Sequence, residues 1–161
     1  MNMTDFTSLI TGWFEAVQFR APPAADLATF NAALNNGTLT QQQVQTAIID
    51  DPFTVNTVDA VIREYQAAFG RVPDQAGLNF WVNQVAANPS ALSTLSTTFA
   101  NSAEFENLYG ANASTSGMGN VALVTSLFTN VLGRAPDAAG LAFWTAQPLN
   151  AAQLLQAFAQ S

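Results

Sequence analysis

Apolar residues recur at helical spacing in several separate stretches of the chain. Phe6, Leu9, Ile10, Trp13, Phe14 and Val17 follow an i, i+3, i+4, i+7 stripe, and so do Val58, Val61, Ile62, Tyr65 and Phe69. Leu78, Trp81, Val82 and Val85 form a third stripe, and Val121, Val124, Phe128 and Val131 a fourth. No segment alternates apolar and polar residues for long enough to argue for a strand. The pattern predicts an all-α chain.

Polar residues mark where the helices begin and end. Asp74 and Asp137 each follow a proline and precede an apolar stripe, so each carboxylate can cap a helix. Thr40 with Gln43, and Asn150 with Gln153, have the spacing of a capping box. Asn88-Pro89 or Ser90 opens the helix that carries Leu92, Leu95 and Phe99. Pro73 and Pro136 end the preceding helices, because the residue before proline avoids the α region.

The stripes belong to a larger repetition. Phe69-Gly70-Arg71-Val72-Pro73-Asp74-Gln75-Ala76-Gly77-Leu78-Asn79-Phe80-Trp81 matches Leu132-Gly133-Arg134-Ala135-Pro136-Asp137-Ala138-Ala139-Gly140-Leu141-Ala142-Phe143-Trp144. A weaker copy runs from Phe19-Arg20 to Phe30, and an aromatic precedes each Arg at the same offset: Phe14, Tyr65 and Phe128. Phe53 closes the first copy, and Ser102-Ala103-Glu104-Phe105 closes the second. The third reaches Phe158-Ala159-Gln160-Ser161, where Xaa-Glu-Phe is the expected continuation of a longer protein. The expected fold is thus an all-α helical-repeat domain of three degenerate helix-turn-helix-helix units. Residues 1–109 hold two packed repeats, 1–53 divergent and 54–109 well matched. Residues 110–119 (GANASTSGMG) form a small-residue linker and the one soft boundary, and 120–161 hold a truncated third repeat.

Composition narrows the chemistry. About half of the 161 residues are apolar but only 9% are charged, against roughly 25% in ordinary soluble domains. Ser, Thr, Asn and Gln must supply the polar surface, which suits an extracellular or packed setting. Eleven acids stand against four bases, none of them lysine, so nucleic acid and anionic lipid are poor partners. Without His or Cys there is no Ser-His triad, thiol nucleophile, imidazole chemistry or zinc site, and the chain reads as non-enzymatic. Met1 to Ser8 carry no signal-peptide pattern, and no apolar run is long enough to span a membrane. The chain is expected to be cytosolic, or exported with its amino terminus uncleaved.

Each candidate functional residue has a structural reading beside the functional one. Arg20, Arg71 and Arg134 occupy one repeat position; they tie each turn to a carboxylate such as Glu104, or they bind anions or sugar hydroxyls. Trp13, Trp81 and Trp144 lie on apolar stripes and read as core, although an indole face also stacks on a sugar ring. Tyr109, beside the linker, is expected to be the most exposed aromatic. Gly77 and Gly140 sit inside helices, where glycine costs roughly 1 kcal/mol relative to alanine, which argues for close helix contact there. The first copy has Asp26 at that position, so its contacts must differ. Asp50, Asp51, Asp74, Asp137, Glu104 and Glu106 are oxygen donors of the kind calcium takes, but no calcium loop is present, and no cofactor is expected.

The motif residues Tyr65, Gly70, Arg71, Pro73, Asp74, Gly77, Trp81, Glu104 and Phe105 resemble a bacterial extracellular helical repeat, the domain of unknown function DUF4214. Phe128, Gly133, Arg134, Pro136, Asp137, Gly140 and Trp144 repeat the resemblance up to Ser161. The layout, a divergent first copy followed by a better one ending in Ser-Ala-Glu-Phe, is similar to the amino-terminal domain of Caulobacter-type surface-layer proteins. That second resemblance implies a cell-surface anchoring module that grips the O-antigen of lipopolysaccharide, exported by type I secretion. Copy one departs from the pattern at Pro23, Asp26 and Phe30, so no glycan-binding residue carries over. Residue chemistry alone names Trp13, Tyr109, Arg20, Arg71 and Arg134 as ligand-binding candidates. The alternative is a protein–protein or self-assembly module built on neighbouring copies of the chain; a passive spacer is a third reading. A concave groove with aromatics beside Asn and Gln favours sugar, and a flat apolar patch favours a protein partner.

Overall fold

The computed structural model describes residues 4–110, 113 and 120–161, which contain ten α-helices, one short π-helical segment and no strand. The helices are α1 (Thr7–Gln18), α2 (Ala24–Asn36), α3 (Gln41–Ile49), the π segment Thr54–Val58, α4 (Asp59–Phe69), α5 (Gln75–Ala87), α6 (Ala91–Ala100), α7 (Ala103–Tyr109), α8 (Val121–Leu132), α9 (Ala138–Thr145) and α10 (Ala151–Ala159). None is long and apolar enough to cross a membrane.

The chain divides into two compact units, Met1–Val58 and Asp59–Ser161. In the first, Ile10 and Phe14 of α1 meet Val44 and Ile48 of α3, and Leu27, Phe30 and Leu34 of α2 pack against them. In the second, α10 lies against α6 and α4, and α4 against α8, so both well-matched sequence copies share this unit. The expected linker lies outside the described residues except for Gly110 and Ala113.

The helix starts follow from the polar residues ahead of them. Asp74 accepts the Gly77 backbone N–H at 2.7 Å, and Asp137 accepts that of Gly140 at 2.6 Å. Both expected capping boxes are formed, Thr40 with Gln43 before α3 and Asn150 with Gln153 before α10. Ser90 precedes α6 without making a side-chain cap; instead the Asn88 side chain accepts the Ser90 N–H.

Four helices end in left-handed backbone, α2 at Gly37 and α1, α4 and α8 at one equivalent sequence position. Gly70 and Gly133 have φ of 62° and 65°, and Phe19, at the equivalent sequence position, has 57°. Glycine reaches that region freely, whereas for an L side chain it is strained. The conformation turns Arg71 back over Tyr65 and Phe69 and Arg134 over Phe128, aromatics of their own helices, whereas Arg20 lies over Phe53, outside α1.

Candidate functional site

Two kinds of surface emerge, an aromatic recess in the first unit and a pair of exposed aromatics in the second. The recess opens between α1 and α3. Trp13, Ala16 and Val17 line one side and Gln45, Ile48 and Ile49 the other, enclosing about 240 Å³. Residues 13, 16 and 17 share a face of α1 because three and four steps bring a helix back to the same side. Ile48 is sealed into the core while Ile49 stays half exposed, so the recess has an apolar floor and an apolar rim. Gln45 is the polar residue at its edge.

Trp81 and Trp144 are half-buried. Each turns inward to a core phenylalanine, Trp81 to Phe99 at 6.4 Å and Trp144 to Phe158 at 4.6 Å between ring centroids. Each also meets an outward phenylalanine edge-on, Phe80 at 5.1 Å and Phe143 at 5.4 Å. Phe80 is 56% and Phe143 59% exposed. Sequence reasoning passed over both, although a signal was present. Neighbours on a helix point about 100° apart, so a stripe that takes Trp81 inward must leave Phe80 outside.

The arginines differ in what holds them. Arg71 makes a two-pronged ion pair with Glu104, Nε to Oε1 and Nη2 to Oε2 both at 3.0 Å, and its guanidinium lies over Phe69 and Tyr65. The hydrogen bonds it donates to Glu104 push the Arg71 pKa further up. Arg20 has no carboxylate partner among the described residues; its Nε donates to Gln18 Oε1 at 3.0 Å and its guanidinium lies 3.6 Å from the Phe53 ring centre. Gln18, wholly buried, passes the connection on by donating to Asp51 and Thr54. Arg134 lies over Phe128 at 5.1 Å and makes only a long contact to the Ala135 carbonyl among the described residues.

Tyr109 is half-buried rather than the exposed aromatic the sequence suggests. Its hydroxyl donates to the Ala68 carbonyl at 2.8 Å, its ring lies 4.5 Å from that of Phe105, and burial pushes its pKa up. Phe105 is fully buried, which fastens α7 to the unit. The carboxylates are scattered. Asp74 and Asp137 cap helices, Glu104 holds Arg71, and Asp51 accepts from Gln18 and from the Phe53 N–H. Among the described residues no three acids gather as a cation site would require.

The wholly buried acid is one that the sequence reading did not single out. Glu64 of α4 is 0% exposed, and burial pushes its pKa to about 7 against the pull of Ser96, Gln160 and Arg63.

Residues 96–161 match the family described as a domain of unknown function (DUF4214). No curated protein and no solved structure matches the chain.

Proposed function

We propose that this chain is a non-enzymatic anchoring module of a secreted surface-layer or related protein, built from three degenerate helical repeats. It holds outer-membrane polysaccharide, the O-antigen of lipopolysaccharide, at the bacterial cell surface. The Trp13 recess carries the reading. An indole beside aliphatic side chains offers a dry face to the C–H face of a sugar ring, and the Gln45 amide can both donate to and accept from ring hydroxyls. The recess is smaller than the about 300–1,000 Å³ that buries a drug-sized ligand whole, so it suits one ring of a longer chain. A chain with net charge −7 and no lysine favours a neutral glycan over an anionic one. The scattered carboxylates and the absence of His and Cys support a role without catalysis.

The test is sedimentation of the purified chain with native cells and with cells stripped of O-polysaccharide. The anchor reading expects co-sedimentation with intact cells alone, and its loss in Trp13→Ala with an unchanged helical circular dichroism spectrum. Equal failure on both cell types removes the reading.

A self-assembly module is the second reading, and Phe80 and Phe143 favour it. Large exposed apolar side chains backed by ordered tryptophans are what a protein partner covers. Concentration-dependent light scattering that is abolished by Phe80→Ser with Phe143→Ser, and is indifferent to glycan, would put assembly first.

A further inference from the structure

Hydrogen-bond bookkeeping around Ser96 points to a protonated acid in the middle of the second unit. The Ser96 Oγ lies 3.0 Å from Glu64 Oε2 and also 3.0 Å from the Leu92 carbonyl oxygen. Two acceptors flank one hydroxyl, and a serine has a single proton to give. Both contacts become hydrogen bonds only if the second proton comes from Glu64, so that the acid donates to Ser96 and Ser96 donates to Leu92. The other oxygen, Oε1, has no hydrogen-bond partner among the described residues. An unpartnered oxygen is tolerable on a neutral carboxylic acid and costly on a buried carboxylate.

The neighbouring positive charge, Arg63, favours the anion less than Ser96 or Gln160 does, and together they do not offset burial. Arg63, the preceding residue on α4, is turned to the end of α10, where its Nε donates to the Ala159 carbonyl at 2.8 Å. The helices packed against α4 are α5, α6, α7, α8 and α10. Among these α5, α6, α8 and α10 contain no Asp, Glu, Lys or Arg. On α7, Glu104 is engaged with Arg71, and Glu106 and Tyr109 bring no positive charge. On α4 itself Asp59 is acidic, and the Gln160 amide next to α10 is the remaining polar group that favours the anion.

We propose that Glu64 is a buried proton switch: protonated, it completes a hydrogen-bond chain from α4 through Ser96 to the Leu92 carbonyl of α6, and its ionisation breaks that chain and loosens α4 from α6. Burial pushes the carboxyl to about 7, in agreement with the hydrogen-bond count. Between the ordinary glutamate value of 4.5 and 7, the folded chain keeps a proton that the unfolded chain has released. Stability is therefore full below about pH 4.5, falls as pH rises to 7, and is level above it.

The experiment is a pair of measurements on the full chain. Carbon-detected NMR of the glutamate carboxyls, with the Glu64 signal assigned by its loss in Glu64→Gln, should show a midpoint near neutrality. Chemical unfolding from pH 5 to pH 8.5 should show the unfolding equilibrium constant rising by about two orders of magnitude in the wild type. Glu64→Gln, whose amide donates to Ser96 as the acid does, should remove that rise. A Glu64 carboxyl that titrates in the ordinary glutamate range overturns the proposal whether or not the variant folds. So does an unfolding constant in Glu64→Gln as pH-sensitive as that of the wild type.

Discussion

The Tyr65 hydroxyl stands where a side chain on Gly77 would have to go: a Cβ there would lie 2.7 Å from the oxygen. Tyr65 is itself fixed, 7% exposed with its ring edge-on to Phe99 at 4.5 Å, so it cannot swing aside cheaply. Gly77→Ala is therefore expected to destabilise the second unit by about 1–3 kcal/mol, despite the better helix propensity of alanine. Adding Tyr65→Phe removes the closest obstructing atom and leaves the Asp74 Oδ1 at 3.3 Å and the ring carbon Cζ at 3.6 Å. The double variant should recover most of the loss in a double-mutant cycle of urea unfolding. Additive losses would mean that Gly77 is required for another reason.

The Arg71–Glu104 pair looks stronger than it is expected to measure. Its geometry is two-pronged, but the two side chains are 44% and 46% exposed. Glu104→Gln should lower stability by no more than about 1 kcal/mol, with the difference shrinking in 1 M salt. Arg71→Ala should cost more, because it also uncovers the rings of Phe69 and Tyr65. Thermal melts at two salt concentrations separate the two contributions.

Gly133 and Gly70 separate strain from collision. Nothing stands within 4 Å of a Cβ on Gly133, so Gly133→Ala should cost only the left-handed backbone, about 1 kcal/mol. At Gly70 the same strain is joined by the Asn130 side chain at 3.1 Å. Gly70→Ala is expected to be the more damaging of the two in urea unfolding; the reverse order would contradict the turn geometry.

The two aspartate caps have nearly the same geometry and should respond alike. Asp74→Ala and Asp137→Ala are each expected to lose about 1 kcal/mol, with asparagine at either position retaining most of it. Calorimetry on the four variants checks this.

What the sequence discloses, and what it withholds, follows the range of each interaction. The aspartate caps and both capping boxes are contacts between residues a few positions apart, so spacing alone locates them. Arg71 with Glu104 was foreseeable because both lie in the motif segments of the same repeat copy, one basic and one acidic. Trp13 is nameable as an aromatic with two uses, but the recess around it needs α3 in register, placing Gln45 and Ile49 opposite α1, and that register is tertiary. Tyr109 looked exposed because it borders a small-residue stretch, yet its hydroxyl reaches back to Ala68. Glu64 left a legible trace, lying three residues after Val61 on an apolar stripe; that Ser96 would meet it could not be read from α4.

The three tryptophans are divided unequally, Trp13 in the first unit and Trp81 with Trp144 in the second. Intrinsic fluorescence can therefore tell the two units apart without an added dye. Replacing Trp81 and Trp144 by phenylalanine leaves Trp13 as a lone emitter that follows its own unit and any ring that settles against its indole. The complementary Trp13→Phe chain reports from beside the exposed Phe80 and Phe143. Emission recorded against temperature in the two variants thus gives each unit its own melting curve within the intact polypeptide.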